Sequence, residues 1–416
     1  MIRIYSTYQT ERLRYVLDFC FLQKGVPYEI IQRKDQWEKR PEKTINYSHE
    51  ALEAELTIKP QGILFETEIY PSKIIESTKD KLMLDGVPDQ FGLILYFLTS
   101  YCEYFNQERD AHERYPSKLH PLVRLGFNHI PVVDQLVKEI WDTVGLDYER
   151  VKNQFQLIPT FDIDIAWAYK QRSLLRTIGG AIKGGKPFER IQVLAGSKKD
   201  PYDTFDAILE IGKHYRSTRC FILLGDYGKY DKNIHWENKA YQDLINSLND
   251  AVNLGIHPSY GAFENMDQVR TEKNRLREII NEEITASRQH FLRLKIPDTY
   301  HTLIAAGIQE DYSMGFADNI GFRAGTSFPY PFFDLKTNQK TTLMIHPFVY
   351  MDSAIKDYLN WDIETGIEEI QSLKEKVAEV GGQFIFIWHN SSIHNSGEWK
   401  GWSALLDQTL NTENGS

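Results

Sequence analysis

A chain of 416 residues is long enough for two domains, and its 58 acidic against 48 basic side chains give a formal net charge of −10. This charge disfavours nucleic acid and anionic membrane surfaces as partners, because no excess of cations exists to neutralise their phosphates. The three cysteines, Cys20, Cys102 and Cys220, lie far apart in sequence, which disfavours a disulfide framework or a zinc knuckle and favours reduced, buried thiols.

The start of the chain shows no recognisable targeting segment. Met1 to Ser6 is not a basic leader and no apolar run follows it, so we expect no secretory signal and a cytoplasmic protein. The longest apolar stretch, Phe91 to Leu98, is too short to cross a bilayer, and we therefore expect no membrane span.

Residues 1–150 are predicted to form a smaller α/β domain of unknown role. Asp110 and His112 are interpreted as a solvated helix end or a contact between domains. The apolar pattern predicts two strands, Ile2–Tyr5 and Gly62–Glu66, and two helices, Arg12–Gln23 and Pro88–Phe105.

Residues 151–416 have a different pattern, in which apolar strands alternate with amphipathic helices. Such alternation is typical of parallel strands buried by crossover helices, and at least six strands in roughly 260 residues favour a (β/α) barrel over an open sheet. The strand candidates are Gln156–Phe161, Ile191–Leu194, Cys220–Leu224, Gly255–His257, Ala286–Leu292 and Gln383–Trp388. The helical stretches include Thr204–Lys213, Asn238–Leu254, Met266–Asn281 and Ile363–Val380.

In barrels and open α/β sheets, functional side chains gather at the C-terminal ends of the strands. The first strand of this region ends in Asp162 and Asp164, which face the same side because they are two residues apart. Two like charges this close are costly unless a cation or a shared proton relieves their repulsion. The alternative is a capping aspartate with a solvated neighbour. His257, held by the following Pro258, is a candidate metal ligand at another strand end, although an ordinary loop histidine also fits.

Three further side chains lie at predicted strand ends. Arg288 and His290 point to one face of the next strand, and the last strong strand ends in His389. Carboxylates and imidazoles suit Zn²⁺ or a similar divalent ion, which lowers the pKa of a bound water. A second aspartate could accept a proton from that water, an arginine would keep it ionised, and a late histidine could protonate a departing amine. These residue types predict a metal-assisted hydrolase.

The stretch from Phe155 to Leu410 resembles the polysaccharide deacetylase superfamily, the NodB-homology domain of carbohydrate esterase family four. The segment Thr160–Asp164, Thr-Phe-Asp-Ile-Asp, matches the first family motif, and Ile387–Asn390, Ile-Trp-His-Asn, matches the last. The resemblance implies a distorted (β/α) barrel that hydrolyses the carbon–nitrogen bond of an N-acetyl group on an amino sugar or polysaccharide. It also implies a divalent metal, with zinc expected, and a carbohydrate partner. In a bacterial subgroup such a domain follows an uncharacterised N-terminal domain.

On that resemblance, Asp162 is the catalytic base, Arg288 orients it and His389 is the general acid. The family motif has adjacent acids, whereas Ile163 separates Asp162 from Asp164 here, so the two aspartates could exchange roles.

The resemblance assigns the metal to Asp164 and His257, with His290 as a third ligand by hypothesis. The second family motif places another histidine four residues after the first, where this chain has Gly261. We hypothesise that His290, on the neighbouring strand, replaces that missing ligand.

Three residues are expected to contact substrate. Trp388 would help to form a pocket for the acetyl methyl group, Tyr260 follows His257 in its motif, and Arg323 belongs to the segment Gly321–Thr326 near the site.

Parts of the sequence suggest two other functions. The missing second histidine allows a catalytically silent glycan-binding or assembly protein that retains the barrel. The segment Gly180–Pro187 nearly matches a phosphate-binding loop, but Pro187 stands where a hydroxyl residue is needed and a helix-like stretch, Trp167–Arg176, precedes it. A flexible loop is therefore favoured over an NTPase.

Overall fold

The computed structural model describes residues 1–37, 43–78, 81–171 and 187–411. The segment Gly180–Lys186, which carries most of the near match to a phosphate-binding loop, lies outside these ranges, as does the end of the helix expected at Trp167–Arg176. Within them the strands form a four-stranded sheet, a nine-stranded sheet and a two-stranded hairpin.

The N-terminal region contains the strands β1 (Ile2–Ser6), β2 (Tyr28–Ile31), β3 (Lys43–Tyr47), β4 (Leu56–Ile58), β5 (Ile75–Thr78) and β6 (Lys81–Leu84). The first four form a parallel sheet in the order β2-β1-β3-β4, and β5 pairs with β6 in the hairpin. Strand β1 is buried along its whole length, as expected for a central parallel strand.

The helices of this region are α1 (Glu11–Cys20), α2 (Gln90–Leu98), α3 (Pro121–Arg124), α4 (Val132–Thr143) and α5 (Glu149–Lys152). Side chains cap the first two, because Thr10 accepts the Leu13 N–H and Asp89 accepts the Gly92 N–H. Both predicted helices are present but shorter than expected. Helix α2 ends before Ser100, whose φ of +51° is left-handed.

The predicted strand at Gly62–Glu66 is wrong. Gly62 has a φ of +85°, and its carbonyl accepts the Phe65 N–H at 2.7 Å, which closes a turn. Glycine adopts this left-handed conformation without steric cost, so a short apolar run after it need not continue as a strand.

The C-terminal region contains the nine-stranded sheet, whose strands are β7 (Gln156–Ile163), β8 (Arg219–Ile222), β9 (Asn253–Ile256), β10 (Ala286–Ser287), β11 (Glu310–Asp311), β12 (Tyr330–Asp334), β13 (Gln339–Ile345), β14 (Tyr350–Met351) and β15 (Gln383–His389). Their order is β12-β13-β11-β10-β9-β8-β7-β15-β14. Every neighbouring pair is parallel except the β12–β13 hairpin. The predicted α/β architecture with a large parallel-rich sheet is therefore present.

The helices of this region are α6 (Pro187–Leu194), α7 (Phe205–His214), α8 (Lys239–Asn249), α9 (Met266–Ile280), α10 (Asp298–Ala305), α11 (Ile363–Val380) and α12 (Ser403–Leu410). Helix α11 has the predicted bounds, buries Ile370, Leu373 and Val377 at helical spacing, and ends at Gly381, whose φ is +75°. No helix in the described part of the chain is long and apolar enough to cross a membrane.

The strand pairing of the described residues does not show a closed barrel, because β12 and β14 remain at the edges of the sheet. The segment between β13 and β14 bridges the two sides of the sheet, near β11 and at β15. Phe348 donates its N–H to the Met314 carbonyl, which follows β11, and Val349 donates its N–H to Ile385 in β15. Adjacent peptide groups thus bond to opposite sides of the curled sheet.

Two strand predictions need correction. Ile191–Leu194 was expected as a strand but belongs to helix α6. The prediction failed because four residues are too few for periodicity to distinguish a strand from a helix. The strand expected at Ala286–Leu292 is only β10, since Phe291 and Leu292 have positive φ values of 58° and 53° and turn the chain away. The β12–β13 hairpin and the short strands β11 and β14 were not predicted from the sequence.

The two regions share a continuous cluster of buried apolar side chains, which includes Ile4 and Leu13 on one side and Phe333 on the other. The boundary is also crossed by polar contacts, such as the Tyr15 hydroxyl that donates to the Pro331 carbonyl at 3.0 Å. The division of the chain at residue 150 remains a prediction.

Candidate metal centre

Strand β7 brings three polar side chains to its C-terminal end. Thr160 and Asp162 are buried, and Asp164 lies just past the strand with its side chain 30% exposed. Alternate residues of a strand share a face, so these three point the same way. Because β7 lies between β8 and β15, the ends of neighbouring strands meet around them.

Arg288, directly after β10, holds Asp162 from across the sheet. Its Nη1 donates to Asp162 Oδ1 at 2.9 Å and to Thr160 Oγ1 at 2.8 Å, and its Nε donates to the Tyr312 carbonyl at 3.0 Å. The side chains of Arg288 and Asp162 are 0% and 3% exposed. Asp162 is thus a buried carboxylate whose negative charge is balanced by a fixed guanidinium.

Asp164, His257 and His290 converge on one point beside this pair. Each offers one ligand atom, and these atoms lie within 4.8 Å of one another. His257 Nε2 is 3.1 Å from Asp164 Oδ1, and His290 Nε2 is 3.6 Å from Asp164 Oδ2. One carboxylate with two imidazoles is a donor set typical of zinc and similar divalent ions.

Hydrogen bonds on the far side of each imidazole orient this cluster. His257 Nδ1 donates to the Arg288 carbonyl at 2.6 Å, and His290 Nδ1 donates to Asp231 Oδ1 at 2.9 Å. In the neutral rings this leaves the Nε2 lone pairs facing Asp164, as in metal sites whose outer partners fix the tautomer. Asp164 Oδ1 is buried and accepts no hydrogen bond from any described residue. The donor set therefore fits a divalent cation.

The charges in the cluster depend on one another. Burial would raise the pKa of Asp164, but His290 and His257 hold it well below its ordinary range. Burial would lower the pKa of His290, but Asp164 and then Asp231 raise it to about 9. His290 therefore holds a proton at neutral pH that a bound divalent cation would have to replace.

His389, the last residue of β15, faces the same space from the other side of β7. Its Nδ1 is 2.8 Å from Asp352 Oδ1, its backbone N–H donates to Asp352 Oδ2 at 2.9 Å, and its Nε2 is 3.8 Å from Asp164 Oδ2. Burial would lower the pKa of His389, but Asp352 and then Asp164 and Asp162 raise it to about 10. The ring is an imidazolium at neutral pH, with a proton available to the pocket.

A pocket of about 310 Å³ opens over these groups, and its wall includes all five of the predicted acidic and histidine residues. Gln289 also contributes to the wall, and its buried Nε2 has no acceptor among the described residues. Phe291, Tyr358 and Arg114 complete other parts of the wall, the last of them from the N-terminal region.

Arg323, expected to contact substrate, lies elsewhere. It is 4% exposed, its Nη2 is 2.7 Å from Glu103 Oε1, and its Nη1 donates to the Gly315 carbonyl at 3.1 Å. This buried ion pair joins the two regions of the chain and does not reach the pocket wall, so the placement does not support a substrate contact.

Trp388 and Tyr260 also lie outside the pocket wall. Trp388 is fully buried, and its Nε1 donates to the Tyr350 hydroxyl at 3.2 Å. Tyr260 donates its backbone N–H to Asp231 Oδ1 at 2.8 Å and packs against Tyr230 with ring centroids 4.2 Å apart and the rings tilted by 32°. Tyr260 thus supports Asp231, which in turn orients His290, instead of facing the pocket.

Two carboxylates at this site, Asp231 and Asp352, were not recognised in the sequence. Asp352 directly follows β14, so the strand-end rule points to it once that two-residue strand is known. Asp231 lies in the connection between β8 and α8, where no strand end marks it.

Comparisons with known proteins match different shares of the chain. A family model described as a family of unknown function, DUF7033, matches residues 2–148. No curated protein matches the chain. A structure described as a polysaccharide deacetylase from Mycobacterium smegmatis is similar over 63% of this chain and 86% of its own, with 14% identity and a TM-score of 0.41.

Two further solved structures are similar to the chain. The polysaccharide deacetylase of Bacillus cereus covers 61% of this chain and 85% of its own, with 10% identity and a TM-score of 0.30. A mutant of a CE4 family pseudoenzyme with restored enzymatic activity covers 62% of this chain and 63% of its own, again with 10% identity and a TM-score of 0.30. With scores this low, a function has to follow from the residues of the pocket itself.

Proposed function

We propose that this chain is a metal-dependent amide hydrolase that removes an N-acetyl group from an amino sugar or a glycan. The observation that supports it is the presence, in one pocket, of three groups with different partners. These are the ligand cluster around Asp164, the carboxylate of Asp162 paired with Arg288, and the imidazole of His389 held by Asp352.

Asp164, His257 and His290 would hold the cation, with zinc expected. When bound, the ion would polarise the acetyl carbonyl and lower the pKa of a water molecule. The pairing favours one assignment of the two aspartates, because Asp164 faces the imidazoles whereas Asp162 faces Arg288.

The remaining residues would move the protons. Asp162 would accept a proton from water as the water oxygen attacks the acetyl carbon, and Arg288 would keep the carboxylate ionised and in place. The carbon–nitrogen bond would break as His389 gives its Nε2 proton to the nitrogen, while Asp352 holds Nδ1. The products are acetate and a free amine.

Metal binding by the purified protein tests the first part of the proposal. We expect calorimetry to show one Zn²⁺ or Co²⁺ per chain, and expect Asp164→Ala and His257→Ala each to abolish that binding. His214→Ala is the control, because His214 lies in α7, outside the pocket, with a side chain 68% exposed. A protein that takes up no divalent ion would contradict the metal mechanism.

Acetate release from N-acetylated glucosamine oligomers tests the second part. We expect release by the metal-loaded protein and its loss in Asp162→Asn with metal binding retained. Oligomers that bind without release of acetate would instead support a catalytically silent glycan-binding protein.

A further inference from the structure

The N-terminal region reaches the pocket through the loop Asp110–Arg114. Asp110 Oδ1 accepts the N–H groups of His112 at 2.8 Å and Arg114 at 3.0 Å, and the Asp110 N–H donates to the Arg114 carbonyl at 3.0 Å. The loop is thereby closed on itself by the aspartate.

The same loop is fixed to two different walls of the pocket. The His112 carbonyl accepts the Arg293 Nε at 3.0 Å, just after the turn that carries His290. At the other end, Arg114 Nη2 donates to the hydroxyl of Tyr358 at 3.2 Å. Tyr358 ends the π-helix Ala354–Tyr358, which follows β14. The loop therefore spans from the β10 side of the pocket to the β14 side.

Arg114 is the charged group that this loop presents to the pocket. Its side chain is 10% exposed, and its Nε donates to Asp110 Oδ2 at 2.7 Å. With Nη2 on Tyr358, the guanidinium plane is held by two contacts, and Nη1 donates to no acceptor in the described part of the chain. A recessed guanidinium with a fixed plane and a free donor at Nη1 is suited to binding an oxyanion.

The other charged residues of the pocket wall are already engaged. Asp162 is paired with Arg288, and Asp164 faces the two ligand histidines. Asp357, 51% exposed, is 3.1 Å from Lys356 Nζ. Nη1 of Arg114 therefore has no carboxylate acceptor among the described residues of the pocket wall.

We propose that Arg114 binds an anionic substituent of the substrate, a carboxylate or a phosphate carried by the N-acetylated glycan close to its acetyl group. This inference rests on the proposed function for the identity of the glycan. It makes the N-terminal region part of the substrate site and Arg114 a specificity-determining residue.

The test compares binding of three N-acetylated oligosaccharides of equal length, one neutral, one with a uronic acid and one with a sugar phosphate. Binding is measured by calorimetry on the full chain after the metal has been stripped, so the result does not depend on hydrolysis. We expect the wild type to bind at least one acidic oligosaccharide tenfold or more tightly than the neutral one, and Arg114→Gln to lose that preference. The uronic acid and phosphate arms identify the source of the charge.

Two variants separate recognition from simple charge and from folding. Arg114→Lys keeps the charge but not the planar guanidinium, and we expect a partial preference. Lys118→Gln removes a neighbouring positive charge from a side chain 75% exposed and should leave the preference intact. An equal affinity of the wild type for neutral and acidic glycans, or a preference that survives in a folded Arg114→Gln protein, overturns the inference.

Acetate release by the metal-loaded protein is measured in parallel. Release without any preference for acidic glycans would overturn the role of Arg114 while the hydrolase stands. A preference in binding without release would overturn the hydrolase and leave the role of Arg114 supported.

Discussion

Three histidines in the pocket use the same ring nitrogen for support but have different partners. His257 Nδ1 bonds to a backbone carbonyl, whereas His290 and His389 bond to the carboxylates of Asp231 and Asp352. A carbonyl adds no net charge, but a carboxylate stabilises the imidazolium. His290 and His389 therefore share one kind of support, although we propose a metal for the first and a proton transfer for the second.

Removal of the charge on Asp352 should change the pH dependence of hydrolysis. In Asp352→Asn, the pKa of His389 should fall because the carboxylate that stabilises its imidazolium is lost. We expect the alkaline limb of kcat to move to lower pH and acetate release at neutral pH to decrease.

The control is Asp357→Asn, which removes a half-exposed carboxylate from the same pocket wall. It should leave the alkaline limb where it is. A profile for Asp352→Asn that matches the wild type would mean that His389 is not the acid.

At the scale of single residues, the sequence identifies the side chains at the C-terminal ends of the recognised strands. Asp162 and His389 lie within the last residues of β7 and β15, and Asp164 and His257 directly follow β7 and β9, so alternation and strand ends fix their direction. Arg114 could not be found this way, since its approach to the pocket depends on how the two regions pack.

At the scale of elements, a buried carboxylate connects helix α4 to the segment before β12. Asp134, in the first turn of α4, accepts the hydroxyl of Thr326, and it accepts the N–H and the hydroxyl of Ser327 at 2.7 and 2.8 Å. Burial raises the pKa of Asp134 from 3.8 to about 6 despite these hydrogen bonds. The helix is therefore joined to the larger sheet by a group that is costly to ionise.

Asp134 should make the stability depend on pH. Because the pKa of Asp134 is higher in the folded state, the folded chain binds more protons than the unfolded chain between pH 3.8 and about 6. The contribution of Asp134 to stability therefore falls as pH rises through that window. We expect Asp134→Asn to remove this contribution. The free energy of unfolding of the wild type should therefore fall relative to that of the variant between pH 4.5 and pH 7, as measured by urea unfolding.

Asp142→Asn is the matched control on the same helix, where the side chain is 53% exposed. It should give a stability difference that is almost independent of pH. The same flat result for Asp134→Asn would contradict the assignment.

Elements were predictable where they are long. Helix α11 is defined by its apolar spacing, an aspartate cap at Asp362 and a terminal Gly381. Strands β10, β11 and β14 have two residues each, which is too short for any period to show. The turn after β10, with its two left-handed residues, also carries His290, so local sequence is a poor guide where the site needs an irregular backbone.

At the scale of the whole molecule, the N-terminal region and the large sheet are joined by a buried ion pair within their common core. Glu103 is 0% and Arg323 4% exposed in their side chains, and both guanidinium nitrogens Nε and Nη2 contact the carboxylate. Such a pair adds little to the free energy of unfolding compared with an apolar pair of similar volume. The loss of one partner, however, leaves the other as an unpaired buried charge.

Loss of one partner should therefore destabilise the protein strongly. We expect Glu103→Ala to lower the free energy of unfolding by about 3–5 kcal/mol, because Arg323 is left unpaired. The double variant Glu103→Leu with Arg323→Met should recover part of that loss. Urea unfolding measures both, and an unchanged midpoint for Glu103→Ala would show that the pair does not hold the regions together.

The connection between β13 and β14 has a consequence for the size of the pocket. Phe348 and Val349 are neighbours, yet their N–H groups bond to opposite flanks of the sheet. An extra residue between them would release one flank or the other, and Asp352, three residues further on, would no longer meet His389 at the same depth. The width of the pocket thus depends on the number of residues between β13 and β14. This segment should tolerate substitutions far better than insertions or deletions.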